Sequence, residues 1–536
     1  MRDRGIPDPG YETFPAMIHN LSERFGPREC VVLDDDRIGF ANANAASARL
    51  ARRLLASGVG KGVRVGLLAP NGPDFVVGML AVSRIGAILV PINTFYQAEE
   101  LAWTLRHADI HTLLTVPTLL SHDYLSRLEE AIPGLADAER PDLFLSSMPY
   151  LRQIRVFGEN DRPWCHTEST DGIDQSPVDA DLLRAVEEQV KAADHAVIMY
   201  TSGSTAEPKG IVHTHGSLVR SAWWLGREHG FVPSDRVFTP NAFFFIGGFV
   251  FSLLAPMQMG ACLVCEKRFD PAETLERIER ERVTIVTGWP HYGPAMASHE
   301  SFPRRDLSSV RGGYLFEILP PTATPFHYCL GMTETCGPHT FSAPGSDLPV
   351  GALGVAVPGV EHKVIDTETG VELAPGESGE LCVRGYALMQ GMYGLEREQV
   401  FDSDAWYHTG DRVTLDDAGY LYFHGRLGDV IKTGGANVSP QEVERTLMSL
   451  DGILEAHVVG LPDVERGQLV AAAVVLDGRV PLTADDLRRE LRAKLAAYKV
   501  PKRFDFFTKP DLPYKATGKI DKRALVARMQ SANASG

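Results

Sequence analysis

Short apolar runs alternate with amphipathic stretches along most of the chain. Residues 63–68 are predicted to form a buried strand, residues 74–84 have the apolar spacing of a helix, and residues 87–90 form a second strand. The strand–helix–strand order predicts a parallel sheet, because parallel neighbours need a crossover connection.

A second unit of this kind has predicted strands at 261–265 and 283–287. The helix between them begins after Asp270, which has the side chain of an N-cap, and Pro271 occupies the first helical position. Between the two units, residues 137–178 are rich in Pro, Asp, Ser and Glu. Such a composition is typical of a surface connection, which we predict for that segment.

The pattern changes character near residue 425. A capping box at 439–442 opens a helix, strands follow at 456–459 and 469–476, and Thr483 caps another helix. The sequence therefore predicts an α/β protein. A large N-terminal domain of parallel-rich sheets with flanking helices spans 1–424, a hinge spans 425–429, and a small α+β domain spans 430–536.

Composition excludes several classes of protein. A chain of 536 residues with 44% apolar residues can bury several cores, and its net charge of −16 disfavours nucleic-acid binding. No apolar run reaches the ~20 residues of a membrane span, and the N-terminal residues lack the apolar core of a signal peptide. Seven sparse cysteines do not suggest a disulfide framework. We expect a cytoplasmic protein without a nucleic-acid partner or an integral membrane segment.

A loop rich in hydroxyls and glycines follows the predicted strand 196–200. It reads Thr-Ser-Gly-Ser-Thr-Ala-Glu-Pro-Lys-Gly from residue 201 to residue 210. Backbone N–H groups and hydroxyls of such a loop can bind phosphate oxygens, and Lys209 adds a positive charge. The spacing is not that of a Walker loop. Two interpretations stay open on these residues alone: a loop for the β- and γ-phosphates of ATP, or a flexible turn. The candidate phosphate ligands are Thr201, Ser202, Gly203, Ser204, Thr205 and Lys209.

Five motifs in order make the chain resemble the adenylate-forming superfamily, and within it the branch of acyl-CoA synthetases and fatty-acid–CoA ligases. The resemblance covers about residues 40–525, although Ala206 stands where the family has glycine. The motifs are the loop above, Leu330-Gly-Met-Thr-Glu-Thr335, Tyr407-His-Thr-Gly-Asp411, Gly425-Arg-Leu-Gly-Asp-Val-Ile-Lys432 and Leu512-Pro-Tyr-Lys-Ala-Thr-Gly-Lys519.

The resemblance implies a role for one or two residues in each motif. Thr333 is expected to contact phosphate, and Glu334 to help hold Mg²⁺. Asp411 is expected to accept hydrogen bonds from both ribose hydroxyls, and Arg426 to reach the nucleotide. Lys519 corresponds to the catalytic lysine. Each residue singly has an ordinary structural explanation, such as a helix cap or a salt bridge, but five motifs in the family's order make coincidence improbable.

The resemblance also implies two half-reactions. A carboxylate attacks the α-phosphate of ATP to give acyl-AMP and pyrophosphate, and the thiol of coenzyme A then displaces AMP. The C-terminal domain is expected to be mobile and to rotate about Gly428, where relatives more often carry Asp or Lys. Glycine tolerates the dihedral changes of a hinge. Gly434 and Gly435 are expected to line the CoA side.

The substrate acid is the least determined feature. Residues 241–248 contain no acidic side chain, which disfavours an amino acid, because a buried ammonium needs a partner. We predict that Phe243, Phe245 and Gly247 line an apolar acyl pocket, while core packing explains Phe243 equally well. Residues 312–331 leave little room for the helix that relatives carry there, so the pocket is expected to be open or rebuilt by residues 320–328.

The sequence therefore predicts an ATP-dependent acid–CoA ligase for an apolar carboxylic acid, with a fatty acid as first candidate. An aryl, alicyclic or steroid side-chain acid is the alternative substrate, and a carrier-protein thiol the alternative acceptor. A catalytically lapsed binding protein is a third interpretation. Loss of Glu334, Asp411, Arg426 or Lys519 would favour it, but all four are present. A homodimer is one assembly that the sequence allows.

Overall fold

The computed structural model describes residues 6–168, 176–201, 208–288, 292–427, 431–433, 436–438, 440–463, 466–495, 497–515 and 520–531. The α-helices in these ranges are α1 Phe14–Phe25, α2 Phe40–Ala56, α3 Pro73–Arg84, α4 Ala98–His107, α5 Tyr124–Ala131, α6 Ala180–Glu188, α7 His215–Glu228, α8 Ala255–Gln258, α9 Pro271–Arg280, α10 Tyr292–Ala297, α11 Pro440–Met448, α12 Ala484–Lys494 and α13 Lys522–Ser531.

The strands of the described ranges are, in chain order, β1 Glu29–Leu33, β2 Asp36–Gly39, β3 Arg64–Leu68, β4 Ile88–Pro91, β5 Thr112–Thr115, β6 Thr118–Leu119, β7 His122–Asp123, β8 Gln153–Phe157, β9 His166–Glu168, β10 His195–Thr201, β11 Lys209–Thr214, β12 Arg236–Phe238, β13 Cys262–Cys265, β14 Ile285–Val286, β15 Gly312–Gly313, β16 Thr324–Pro325, β17 Gly331–Met332, β18 Gly337–Pro338, β19 Thr340–Phe341, β20 Val355–Ala356, β21 Val360–Ile365, β22 Ser378–Gly385, β23 Gly391–Met392, β24 Tyr407–Leu415, β25 Leu421–Arg426, β26 Ile431–Thr433, β27 Ala436–Val438, β28 Ile453–Asp463, β29 Gly467–Leu476 and β30 Arg503–Phe506.

The chain divides into two compact units. The first comprises Met1–Pro349, Leu353–Glu361 and Val383–Tyr407, and the second comprises Val350–Ala352, His362–Cys382 and His408–Gly536. The domain limits at 424 and 430, with a hinge at 425–429, stay predictions.

Two large sheets with flanking helices form the first unit. One has the order β23-β11-β10-β4-β3-β5-β8-β9, and its central strands β10, β4, β3 and β5 run parallel. The other has the order β16-β15-β14-β12-β13-β1-β2 and is parallel except for β2 at its edge. The predicted α/β class with parallel-rich sheets is thus confirmed.

Both predicted strand–helix–strand units are present. Strands β3 and β4 are parallel neighbours joined by α3, which is buried along nearly its whole length. In the second strand–helix–strand unit, the Asp270 carboxylate accepts hydrogen bonds from the backbone N–H groups of Ala272 and Glu273, at 3.0 and 3.1 Å, and so caps α9. Strands β13 and β14 are both parallel to β12, which lies between them.

The predicted surface connection at 137–178 is wrong in part. Strand β8 lies inside this segment, pairs in parallel with β5, and is buried at every position. Its polar residues give the segment the composition of a surface connection, but their side chains are paired inside the fold. The Gln153 amide donates to Thr112 Oγ1 at 3.0 Å, and the Arg155 guanidinium is paired with the buried Glu168 carboxylate.

The second unit contains a sheet with the order β27-β26-β29-β28, with β30 added in parallel to β29. Helices α11 and α12 contribute Val443, Leu447, Leu487 and Leu491 to one of its cores. The Thr483 side chain caps α12 by accepting from Asp486 N at 3.3 Å. The expected small α+β fold is therefore present.

Two expectations about the chain's chemistry also have structural counterparts. All seven cysteines are free thiols, and Cys262 and Cys265 are buried in β13. Within the described ranges, every helix is too short or too polar to cross a lipid bilayer.

The buried carboxylate of Glu168 gives a first prediction about stability. It pairs with Arg155 and, at 2.8 Å, with Arg53 Nε. Glu168→Ala should lower the free energy of unfolding by about 3–5 kcal/mol, because it leaves the Arg155 charge buried without its partner. Thermal and urea unfolding measure this loss. Glu159→Ala, an exposed change in the same segment, is the control and should alter stability by less than about 0.5 kcal/mol. Equal effects of the two changes would contradict the prediction.

Candidate active site

Several predicted site residues lie outside the described residues. These are Ser202, Gly203, Ser204, Thr205, Gly428, Gly434, Gly435 and Lys519. Their roles stay predictions.

The two ends of the predicted phosphate loop are described, and they lie opposite each other. Strands β10 and β11 pair antiparallel, with Thr201 facing Lys209 in the register. Strand β10 runs parallel to β4, so Thr201 lies at the carboxyl edge of the parallel strands. Ligands of open α/β sheets bind at this edge. The hairpin therefore presents Lys209 where a bound anion is expected.

The motif at 330–335 forms a tight turn in the first unit. Strands β17 and β18 pair antiparallel, and Thr333–Thr335 makes one 3-10 turn between them. The buried Thr335 hydroxyl contacts Met332 O at 3.2 Å and Gly337 O at 2.8 Å, which holds the turn closed. Thr333 and Glu334 remain partly exposed on it.

A buried histidine joins this turn to the strand that begins at Lys209. The His213 Nε2–H donates to Thr333 O at 2.7 Å, since a carbonyl oxygen can only accept. Complete burial lowers the pKa of His213 to about 4, so the ring is neutral at physiological pH. The Met389 N–H also donates to Glu334 O at 2.8 Å. The structure thus brings together the strand of Lys209 and the turn of Thr333 and Glu334.

Glu334 has a neighbour to which the sequence analysis gave no role. The Tyr407 hydroxyl donates to Glu334 Oε1 at 3.2 Å. Tyr407 is the first residue of the third motif, and its place in that motif is the sequence signal that could have identified it as a site residue. The bond fixes the carboxylate while its oxygens keep further lone pairs for a ligand.

The Glu334 carboxylate has the donor chemistry of a magnesium ligand. In the part of the chain that the structure describes, His, Cys, Asp and Glu side chains form no group of three that could hold a metal. Mg²⁺ is commonly held by one or two carboxylates together with substrate phosphates and water. A single carboxylate beside an expected phosphate site has that character.

The two predicted nucleotide ligands of the second unit lie together on one hairpin. Asp411 and Arg426 face each other in the pairing of β24 with β25, and Arg426 Nε contacts Asp411 Oδ1 at 2.7 Å. Arg426 Nη1 also donates to Thr409 O at 2.8 Å. The Asp411 side chain is 2% exposed and that of Arg426 is 52% exposed. A buried carboxylate is thus held beside a guanidinium that is open to a ligand.

The three predicted acyl-pocket residues differ in their surroundings. Phe243 is fully buried, and its ring lies 5.3 Å from that of Phe75. Phe245 is half-buried against Phe244, at 4.6 Å between ring centres, and Gly247 is exposed at the start of a π-helical segment, Gly247–Leu254. Phe243 therefore packs as a core residue, and Phe245 and Gly247 are the more accessible pair.

Residues 312–331 are all described. The sequence predicted too little room for an α-helix here, and the segment contains a 3-10 turn, Phe316–Ile318, and no α-helix. Aromatic side chains from this segment fill the space around His229. The rings of Tyr314 and Phe326 lie 6.2 and 5.1 Å from the His229 ring, and the Tyr314 hydroxyl donates to His229 Nε2 at 3.0 Å. Tyr314 and Phe326 of this segment are thus buried, whereas Phe316 and Tyr328 are exposed. Whether the acyl pocket is open or rebuilt by residues 320–328 stays a prediction.

Comparison with known proteins identifies the class. A family model described as AMP-binding enzyme matches residues 19–393, and one described as AMP-binding enzyme C-terminal domain matches residues 442–519. The acyl-CoA ligase SID4 of Ajellomyces capsulatus is 32% identical, over 89% of this chain and 84% of the relative. The mitochondrial medium-chain acyl-CoA ligase ACSF2 of Danio rerio is 29% identical, over 95% and 87%.

Among solved structures, the anthranilate CoA ligase AuaEII in complex with anthranoyl-AMP superposes with a TM-score of 0.81. It is 27% identical, and 98% of this chain and 99% of that chain are covered. Fold and matches together define an acid–thiol ligase. The chain belongs to the AMP-binding enzyme family, in its acyl-CoA synthetase branch, and this membership implies the use of ATP and CoA.

The buried histidines predict how stability depends on pH. Burial lowers the pKa of His213, His215 and His229 to about 4 each, against about 6.5 in the unfolded chain. The unfolded state therefore binds more protons below pH 6.5, and stability falls as the pH drops from there towards 4. Each histidine should account for about 1 kcal/mol of this loss at pH 5.5.

His213→Gln tests this prediction. The glutamine amide keeps a donor for Thr333 O but does not titrate, so the variant should lose less stability than the wild type between pH 7.5 and pH 5.5. Thermal midpoints at the two pH values measure the difference. An unchanged loss in the variant would show that His213 does not contribute.

Proposed function

We propose that the protein activates an apolar carboxylic acid as acyl-AMP, with release of pyrophosphate, and then transfers the acyl group to CoA. The observation that carries the proposal is the turn of Thr333 and Glu334, fixed by His213 to the strand that begins at Lys209. A medium-chain fatty acid is the first candidate, since one relative is named a medium-chain acyl-CoA ligase. An aryl acid is the second, since a similar solved structure is an anthranilate CoA ligase.

Adenylation brings two groups of like charge together. At about 4 Å, a carboxylate and a phosphate oxygen repel by roughly 4 kcal/mol at an effective dielectric constant of about 20. In the proposal Lys209 binds the β- and γ-phosphates together with Thr201, Ser202, Gly203, Ser204 and Thr205. Lys519 offsets the charge that develops during in-line attack.

Thr333 and Glu334 complete the phosphate environment in this proposal. The Thr333 hydroxyl contacts a phosphate oxygen, and the Glu334 carboxylate, oriented by Tyr407, holds Mg²⁺. A bound Mg²⁺ supplies positive charge that stabilises the pentavalent transition state and the departing pyrophosphate.

The nucleoside is recognised by Asp411 and Arg426. One carboxylate can accept from two vicinal hydroxyls, and the Arg426 pair orients Asp411 for this contact. The exposed side of the Arg426 guanidinium is then available to the nucleotide. Two observations support this assignment: the two residues lie on one hairpin, and the Asp411 side chain is buried while that of Arg426 is exposed.

The remaining assignments complete the proposal. Phe245 and Gly247 line the acyl pocket with Phe243 behind them, and Gly434 and Gly435 line the path of CoA. The domain at 430–536 moves about Gly428 between the two half-reactions.

We also propose a cytoplasmic location, in keeping with the free thiols, and a homodimer, which sedimentation velocity can test.

An acid panel tests the proposed reaction. Acetate to palmitate, benzoate, cyclohexanecarboxylate, a bile acid and several amino acids are incubated with ATP, Mg²⁺ and CoA, and pyrophosphate and acyl-CoA are measured separately. We expect both products with medium-chain acids and neither with amino acids. Pyrophosphate without thioester would favour a carrier-protein thiol, and no turnover with any acid would contradict the proposal.

Lys519→Ala should separate the two half-reactions. We expect adenylation to slow by 10²–10³-fold or so, because a charge aimed at the transition state is lost. Transfer from synthetic acyl-AMP to CoA should stay within about twofold, because no triphosphate is involved. Lys502→Ala, an exposed lysine of the same domain, is the control. Parallel losses in both half-reactions would contradict the role of Lys519.

A further inference from the structure

Helix α4 ends beside the two strand ends that flank residues 202–208. Its last residue is His107, and the His107 Nδ1 atom lies 2.7 Å from the hydroxyl of Tyr200, the residue that faces Gly210 in the β10–β11 pairing. Tyr200 is 7% exposed, so this hydrogen bond is buried on the tyrosine side.

Aromatic packing holds the His107 ring in place. Trp103, one turn earlier on α4, stacks on the His107 ring at 4.5 Å with an interplanar angle of 19°. The Tyr200 ring lies edge-on to both, 5.8 Å from Trp103 and 5.6 Å from His107. Tyr200 is therefore fixed both by its hydroxyl and by its ring.

The second strand end is fixed from the same helix terminus. The Tyr393 N–H donates to Gly210 O at 2.7 Å, and the Tyr393 hydroxyl donates to Asp109 Oδ2 at 2.6 Å. Asp109 has a φ of 47°, so the chain turns sharply after α4 to bring its carboxylate to this position. Tyr393 thus connects the start of β11 to Asp109, the second residue after α4.

Gly210 allows both tyrosines to lie close to the start of β11. A Cβ atom at this position would lie 3.2 Å from the Cβ of Tyr393 and 3.3 Å from the Cζ of Tyr200. Both distances are shorter than comfortable van der Waals contact. The close packing at Gly210 is a second observation, independent of the hydrogen bonds, that the strand ends are held in one arrangement.

Both hydroxyls stay protonated at physiological pH. Burial raises the pKa of Tyr200 far above its usual value, and burial together with the bond to Asp109 raises the pKa of Tyr393 to about 12. Tyr393 is therefore a neutral donor to the Asp109 carboxylate, and Tyr200 is a neutral hydrogen-bond partner of the His107 Nδ1 atom.

We propose that the end of α4, through His107 and Asp109, positions the strand ends around residues 202–208 and thereby sets the affinity for the triphosphate of ATP. The five residues Trp103, His107, Asp109, Tyr200 and Tyr393 form what we call the α4 clamp. The inference rests on the proposed function, in which that loop binds the β- and γ-phosphates. A loop held at both ends loses less conformational entropy when it binds a ligand.

Members of the α4 clamp are positioning residues in this proposal. Their effect should therefore depend on whether a ligand carries β- and γ-phosphates. ATP carries them and AMP does not, while both share the adenosine and the α-phosphate. Comparing the two ligands separates positioning of the loop from general support of the fold, which would weaken both.

Equilibrium binding of Mg-ATP and of AMP to the full-length protein, measured by titration calorimetry, tests the inference. For His107→Ala we expect the Kd of ATP to rise about tenfold, the usual effect of losing one buried hydrogen bond, and the Kd of AMP to change less than about twofold. His107→Asn, whose amide lies near the position of Nδ1, should restore most of the ATP affinity. Tyr393→Phe should weaken ATP binding selectively as well.

His195→Ala is the matched control. His195 is exposed at the opposite end of the same strand, and its removal should leave both dissociation constants unchanged. If His107→Ala does not fold, His107→Asn and Tyr393→Phe carry the test. Equal weakening of ATP and AMP, or no weakening of either, would overturn the inference alone. A wild-type protein that binds no ATP would overturn the proposed function and the inference with it.

Discussion

A buried hydrogen bond from His213 to the backbone of Thr333 links two parts of the candidate site in the first unit. Strand β11 carries Lys209 at its start and His213 near its end, so this bond ties the turn of Glu334 to the hairpin that presents Lys209. Complete burial lowers the pKa of His213 to about 4 and so keeps the ring neutral. A neutral imidazole donates from Nε2 without placing a charge in the core.

One basic and one acidic side chain of the candidate site, Lys209 and Glu334, lie on the two segments that this bond joins. Lys209 stands at the carboxyl edge of a parallel sheet, and the hydroxyl of Tyr407 donates to the Glu334 carboxylate. In the second unit, by contrast, the Asp411 carboxylate is held by Arg426.

The sequence predicted elements whose signals are local. The Asp270 cap, the helix α3 between β3 and β4, and the strand at 196–200 follow from neighbouring residues, and all are present. Strand β8 was missed because Gln153 and Arg155 have the character of surface residues until their partners Thr112 and Glu168 are known. Motifs located Glu334, Asp411 and Arg426, but the contacts of Tyr407, His213 and His107 come from chain segments far apart. No local pattern predicts such contacts.

The central claim is that the acid attacks the α-phosphate of ATP. Transfer of oxygen from substrate to nucleotide tests it directly, by mass spectrometry of the AMP formed from octanoate labelled with ¹⁸O in both carboxylate oxygens. Attack on the α-phosphate predicts AMP that carries one ¹⁸O atom, because the bridging oxygen stays with phosphorus when CoA displaces AMP. Unlabelled AMP, or ADP with label in inorganic phosphate, would contradict the account.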